Sequence, residues 1–189
     1  MMNNGSASEK LFARWGSFFI HDLDAETLIA SLKEDGVYVP DDVERLIRQG
    51  HRKGQQTSTK IPSMRRFDTI RLSPRDFGYV SNVSTAEFLN PARLAKWSKE
   101  NAHRLPRDCR VEMLSGQVGP YIRKQYTEQP INESLCIAMP RIINPDTNFP
   151  CIYWLVRNER WGLQLLSHEA PDSFEWYVDE SMLFELAPY

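Results

Sequence analysis

Apolar side chains occupy both faces of the segment Cys151–Val156, whereas the segment Leu163–Leu165 alternates leucine with Gln164. A strand that is apolar on both faces is usually covered on both faces, and an alternating strand is usually half-buried. The pattern therefore predicts a β-hairpin with a tight turn near Asn158 and Glu159. We expect its first arm to lie in the middle of a sheet.

Further strand patterns surround this hairpin. Residues 135–143 form an apolar run that Pro140 interrupts, which is typical of an edge strand or of a strand with a bulge. Apolar residues also alternate over residues 174–178 and 182–186. The C-terminal third is therefore predicted to be a run of antiparallel strands, most simply a β-meander.

Helical spacing dominates the N-terminal part. It predicts helices over Glu9–Phe19, from Asp22 or Asp24 to Gly36, and over Asp41–Gln49, the last ended by Gly50. Residues 51–64 are mostly polar and predict a loop. Two later helices are predicted to begin at the Asn-Pro pair of residues 90–91 and the Gly-Pro pair of residues 119–120.

These patterns predict an α+β protein: short N-terminal helices, then a mainly antiparallel sheet with one or two packed helices. The predicted division is a helical part over residues 1–54, a loop or linker over 55–66, and an α+β domain over 67–189.

The chain has 189 residues and a net charge of −2, so it is not a generally basic nucleic-acid-binding protein. Charge is nevertheless segregated, because basic residues dominate one stretch: Arg45, Arg48, Arg52, Lys53, Lys60, Arg65, Arg66, Arg71 and Arg75. This stretch either contacts a polyanion or balances the acidic C-terminal part, and the second interpretation is the preferred one.

Motifs for metal, nucleotide or nucleophilic chemistry are absent from the sequence. The four histidines, His21, His51, His103 and His168, are isolated, and no Walker loop, GxGxxG or GxSxG occurs. No cofactor and no metal is therefore predicted. The three cysteines form no CxxC pair, which indicates reduced thiols, and no signal peptide or membrane span is evident. We expect a cytoplasmic protein that is not bound to a membrane.

Two clusters have the composition of a binding surface. Tyr121, Arg123, Lys124 and Tyr126 combine aromatic and basic side chains, which suits nucleic acid. An amphipathic helix with inward tyrosines and solvated cations is the preferred explanation. Tryptophan and tyrosine near the hairpin form either an interface hot spot or the sheet core.

The leading hypothesis is a non-enzymatic regulatory or inhibitory protein that binds another protein through an acidic and aromatic sheet surface. Such a surface suits a basic partner. Its predicted residues are Trp154, Trp161, Trp176, Tyr177, Glu159, Glu175 and Asp179. The alternative is nucleic-acid binding through Arg52, Lys53, Lys60, Arg65, Arg66, Arg71, Arg123 and Lys124. The third is an enzyme whose site forms only in the fold, for instance from His103, Cys109 and a carboxylate.

Overall fold

The computed structural model describes residues 11–56 and 64–189. Side chains are described for all of these residues except 52–56. The described helices are α1 (Ala25–Glu34), α2 (Asp41–Gln56), α3 (Thr85–Phe88), α4 (Pro91–Glu100) and α5 (Val118–Gln125), together with a 3-10 helix at Pro74–Phe77. The described strands are β1 (Gly16–His21), β2 (Met64–Leu72), β3 (Val83–Ser84), β4 (Cys109–Glu112), β5 (Ser134–Ile137), β6 (Ile142–Ile143), β7 (Pro150–Asn158), β8 (Gly162–Glu169), β9 (Glu175–Trp176) and β10 (Met182–Pro188). The predicted α+β class is confirmed.

One sheet of eight strands organises the chain, in the order β1-β2-β10-β5-β7-β6, with β4 added to β10 and β8 added to β7. All pairs are antiparallel except β5 with β10. As predicted, β7 lies inside the sheet, between β8 on one side and β5 and β6 on the other. Pro140 separates β5 from β6, also as predicted.

The last strands do not follow one another as a simple meander. β10 does not pair with the β7–β8 hairpin. It pairs with β2 on one side and with β4 and β5 on the other. Its residues are buried on both faces, and a strand of that kind is stable only inside a sheet. β9 is shorter than the predicted strand over residues 174–178 and pairs with β3 in a separate two-stranded sheet.

Helices cover both faces of the large sheet. α5 packs against β1, β7 and β8, and α2 packs against β6 and β8, on the face that carries Tyr153. The pairing register places Phe184 on the opposite face, where it contacts Phe77 of the 3-10 helix and Phe88 of α3. The part of this second face formed by β7 and β8 is only half-buried at Trp154, Val156 and Leu166.

Two predictions for the N-terminal part are wrong. Residues 16–21 form β1 instead of the end of a helix, because Phe18 and Ile20 alternate inward and pair with β2. α2 continues past Gly50 to Gln56, so this glycine does not end the helix.

The predicted linker coincides with the boundary between α2 and β2. Of residues 55–66, those numbered 57–63 lie outside the described residues, and residues 64–66 belong to β2 rather than to a loop. β1 pairs with β2, and α1, α2 and the C-terminal strands share one buried cluster. The division of the chain into a helical part (1–54) and a separate α+β domain (67–189) stays a prediction.

Candidate protein-interaction surface

The turn of the β7–β8 hairpin presents Trp161 to solvent. Asn158 pairs with Gly162 across a three-residue loop, and Gly162 adopts φ +63°, a conformation that glycine reaches without strain. The side-chain oxygen of Asn158 accepts the backbone N–H of Trp161 at 2.7 Å. The turn that carries Trp161 is therefore ordered, and Trp161 itself is 55% exposed.

Tyr38 lies beside Trp161, although the two residues are far apart in the sequence. Their ring centroids are 6.0 Å apart, and Tyr38 is 49% exposed. The backbone of Tyr38 joins the outer edge of β8: its N–H donates to the carbonyl of Leu163 at 2.9 Å, and its carbonyl accepts from Leu165 at 3.0 Å. The backbone of each residue of the pair is thus held by hydrogen bonds.

Charged side chains complete this surface, which we call the hairpin tip (Tyr38, Glu159, Arg160 and Trp161). The guanidinium carbon of Arg160 lies 4.8 Å from the centre of the Trp161 ring, in cation–π geometry. Glu159 and Arg160 are both exposed and carry opposite charges. The hairpin tip therefore combines tyrosine, tryptophan and arginine, the residue types that dominate interface hot spots.

The remaining predicted partner-binding residues do not join the hairpin tip. Trp176 was wrongly placed at the surface: it is fully buried, and its indole N–H donates to Thr85 Oγ1 at 3.0 Å. Tyr177, Glu175 and Asp179 are exposed beside it, and Asp179 forms an ion pair with Arg75. With about 3.3 Å per strand residue, β8 separates this group from the tip by roughly 20 Å.

Trp154 lies between these two groups, within an aromatic cluster that we define as Trp154, His168, Phe174 and Trp176. The His168 ring centroid lies 4.9 Å from that of Phe174 and 5.3 Å from that of Trp176. His168 Nε2 and Trp154 Nε1 are both buried without a hydrogen-bond partner. Burial lowers the pKa of His168, because desolvation disfavours the imidazolium.

The residues predicted to bind nucleic acid are largely engaged within the chain. Each of four exposed or half-buried cations has a carboxylate partner: Arg65 with Glu185, Arg66 with Asp68, Arg71 with Glu133 and Lys124 with Asp35. The side chains of Arg52 and Lys53, and Lys60 as a whole, lie outside the described residues.

Arg123 was wrongly placed at the surface, because it is fully buried. Its guanidinium donates to Gln129 Oε1 and to the carbonyl of Tyr126, while its Nε has no partner. Burial lowers its pKa to about 10. Gln129 in turn donates to the carbonyls of Glu133 and Leu155, both at 3.1 Å, so Arg123 anchors the loop after α5 to β7.

Cys109, the cysteine singled out by the sequence, is the first residue of β4. Its thiol is half-buried, and burial raises its pKa, so the unreactive protonated form is favoured.

Within residues 11–56 and 64–189, no group of three or more His, Cys, Asp or Glu side chains is placed to hold a metal ion. Among the helices of these same ranges, none is long and apolar enough to cross a membrane.

Comparison with known proteins gives no family for this chain. No protein-family model, no curated protein and no solved structure matches it.

The sequence singled out Trp161 but not Tyr38. A lone tyrosine between Val37 and Val39 carries no signal of its own, because its role depends on pairing with a strand more than a hundred residues later. Only the parallel bridge between Tyr38 and Gln164 brings the two aromatic rings together.

Proposed function

We propose that this protein has no catalytic role and binds another protein through the hairpin tip. The observation that carries the proposal is the exposed pair of Tyr38 and Trp161 on a hydrogen-bonded backbone, with Arg160 over the indole. Large aromatic side chains held in place before binding lose little conformational entropy on association. Their truncation at an interface typically costs about 2 kcal/mol or more.

The half-buried face of the hairpin extends this surface. The bridge between Tyr38 and Gln164 places Tyr38 on the same face as Val156, Trp154 and Leu166. These three side chains are half-buried on β7 and β8. A partner that covers the hairpin tip would bury this apolar strip as well, which adds a hydrophobic contribution.

The charge of the partner is a separate prediction. Glu159 and Arg160 neutralise each other at the tip, so the tip itself favours neither sign. The exposed acids that suit a basic partner, Glu169 and Glu175, lie at the far end of β8. We propose the cytoplasm as the compartment, since all three cysteines are free thiols.

Quantitative affinity capture from lysate of the source cell tests the proposal. Nuclease-treated samples are compared for tagged wild type, Trp161→Ala, Tyr38→Ala and the matched control Tyr189→Ala, an exposed tyrosine at the C-terminus. We expect a specific protein that is retained by wild type and the control and depleted at least tenfold by both tip variants. Equal retention by all four proteins would contradict the proposal.

A further inference from the structure

The hydrogen-bonding phase of β8 shows which of its backbone groups face away from β7. Tyr38 bonds to Leu163 and Leu165 from the outer side of the strand. Just past β8, the N–H of Ala170 donates to the carbonyl of Pro150 at 2.8 Å, on the β7 side. Because the register between β7 and β8 runs without a bulge, the direction of the backbone groups alternates along the strand. Odd-numbered residues of β8 therefore direct their N–H and carbonyl groups outward.

The outer side of β8 is unpaired beyond Tyr38, over the segment Leu165–Glu169, which we call the open edge. Its outward groups without a partner among the described residues are the carbonyl of Leu165, the N–H and carbonyl of Ser167, and the N–H of Glu169. Ser167 is half-buried and Glu169 is exposed, so the open edge reaches the protein surface. An unpaired strand edge is a template for a further strand.

Side chains of neighbouring helices close other outer strands of the same sheet. Ser98 of α4 accepts the N–H of Val111 in β4 at 2.9 Å and donates to the carbonyl of the same residue at 3.3 Å. Gln125 of α5 bonds to both backbone groups of Phe19 in β1. In the part of the chain that the structure describes, no side chain closes the open edge of β8 in this way. Its backbone groups therefore identify an extended segment as the occupant.

Carboxylates flank the open edge on one face of the sheet. Asp42 at the start of α2 accepts the hydroxyl of Ser167 at 2.5 Å, and Glu169 lies two residues farther along the same face. Burial, Glu169 and Asp42 together raise the pKa of Cys151 to about 11, which places both carboxylates near one thiol. Neither carboxylate has an ion-pair partner among the described residues. A second copy of the chain would add its own carboxylates here, so the charge favours a basic segment instead.

The opposite face of the open edge is apolar and aromatic. Leu166 and His168 direct their side chains to the face that carries Trp154, and all three are half-buried. In a strand paired with Ser167, the residue opposite would lie beside Asp42, and its two neighbours would lie beside Leu166 and His168. Successive side chains of such a strand would therefore meet acidic and apolar surroundings in turn.

We propose that the open edge binds an extended peptide segment in which lysine or arginine alternates with apolar residues. The segment adds a strand to the sheet: its backbone pairs with Ser167 and Glu169, its basic side chains lie beside Asp42 and Glu169, and its apolar side chains cover Leu166. In this mode of recognition, main-chain hydrogen bonds supply affinity and alternate side chains supply specificity. The site rests on its own observations and is independent of the hairpin tip.

Amide hydrogen exchange resolved by residue tests whether the edge is open in the full chain. After correction for intrinsic rates, we expect the amides of Ser167 and Glu169 to exchange at least tenfold faster than those of Leu166 and His168, whose N–H groups point to β7. Protection of Ser167 equal to that of its neighbours would overturn the proposal, because its N–H would then already have a partner.

The probe for binding is acetyl-Lys-Val-Lys-Val-Lys-amide, followed by the chemical shifts of the full chain. We expect this basic peptide to shift the amides of Ser167 and Glu169 at millimolar concentration and to slow their exchange. Two matched peptides should bind at least tenfold more weakly: one with glutamate in place of lysine, and one N-methylated at the central lysine. No shift with the basic peptide at several millimolar, or equal binding of either matched peptide, would overturn the proposal.

Variants of Ser167 separate backbone pairing from side-chain contact. Ser167→Pro removes the outward N–H, and proline is tolerated on outer strands where the N–H faces solvent. Ser167→Ala keeps this N–H and loses only the hydroxyl bond to Asp42. We expect the proline variant to lose binding of the basic peptide and the alanine variant to retain it. Retained binding by a folded Ser167→Pro protein, or lost binding by Ser167→Ala, would overturn the proposal.

A third pair of variants tests the charge of the site. Glu169→Gln should weaken the basic peptide several-fold, whereas Glu100→Gln, at an exposed glutamate of α4, should not. Equal affinity of Glu169→Gln and wild type would overturn the assignment of a basic segment. Trp161→Ala should bind the basic peptide like wild type, so failure of this proposal is distinguishable from failure of the proposed function.

Discussion

The side-chain amide of Gln125 forms with the backbone of Phe19 the two hydrogen bonds that a neighbouring strand would form. Its Nε2 donates to the Phe19 carbonyl at 2.7 Å, and its Oε1 accepts the Phe19 N–H at 3.0 Å. β1 is an outer strand of the sheet, and an unpaired strand edge is a template for association between chains. One glutamine at the end of α5 therefore closes part of this edge.

Replacing Gln125 by leucine should both destabilise the fold and favour self-association. The variant loses both hydrogen bonds to Phe19 and a third, from Gln125 Nε2 to the carbonyl of Tyr121 at 3.0 Å. This loss is expected to lower the free energy of unfolding by about 1–3 kcal/mol. Urea denaturation measures that loss, and sedimentation velocity measures association. Gln117→Leu, which removes a single bond to the carbonyl of Gly50, is the control. A Gln125→Leu protein that stays monomeric with wild-type stability would contradict this account.

Gly119 is the position where a single methyl group should be most damaging. A Cβ atom there would lie 2.4 Å from Cδ2 of the buried Tyr153 ring, so either α5 or β7 must shift. Overpacking of this kind costs roughly 1–3 kcal/mol or more. Gly116→Ala is the matched control, because its Cβ would meet its nearest neighbours at an ordinary 3.5 Å. Similar denaturation midpoints for the two variants would show that the contact is not tight.

His168 should make the stability of the fold depend on pH below neutrality. Its folded-state pKa is lowered from 6.5, so the unfolded chain binds the proton first as the pH falls. Stability is therefore fully present above pH 6.5 and declines as the pH falls through the folded pKa. Glu180 acts in the opposite direction, because burial raises the pKa of its carboxyl group.

The comparison of wild type with His168→Phe isolates this contribution. Denaturation series between about pH 7.5 and 5 are expected to show a smaller loss of stability for the variant, since Glu180 and the other histidines are common to both proteins. Parallel curves for the two proteins would contradict the prediction.

Sequence patterns predicted the parts of the fold that depend on neighbouring residues. The apolar run of residues 151–156, the charged turn and the alternating residues 163–165 were enough to predict the hairpin. Asn90 with Pro91 predicted the start of α4. The helix predicted over residues 9–19 is wrong for residues 11–19, and residues 9 and 10 lie outside the described residues. The apolar spacing fits a helix, whereas the pairing of β1 with β2 that decides the outcome is not local.

The candidate site was predictable only in part, for the same reason. An aromatic residue after a charged turn indicated Trp161, but the backbone bridge that adds Tyr38 is a long-range contact. Arg123 has the position of a surface residue on an amphipathic helix, and only the loop containing Gln129 buries it. Charge patterns along the basic stretch likewise did not indicate which carboxylates lie opposite in the fold.

Nucleic-acid binding should be weak if the ion pairs of Arg65 and Arg66 persist in solution. We expect fluorescence anisotropy with labelled single- and double-stranded DNA at 150 mM salt to give dissociation constants no tighter than about 10⁻⁴ to 10⁻⁶ M, the range of non-specific contacts. Replacing both arginines by alanine should then change little. Tight binding with a steep salt dependence, lost in the double variant, would favour the nucleic-acid alternative over protein binding.

Site-specific photo-crosslinking in the source cell tests the hairpin tip most directly. A photoreactive phenylalanine analogue replaces Glu159 at the tip or, as the control, the exposed Val80. We predict a discrete, nuclease-resistant protein adduct from position 159 only, which disappears when Tyr38→Ala is added. No adduct at the tip, or the same adduct from both positions, would contradict the claim that the hairpin tip binds a partner.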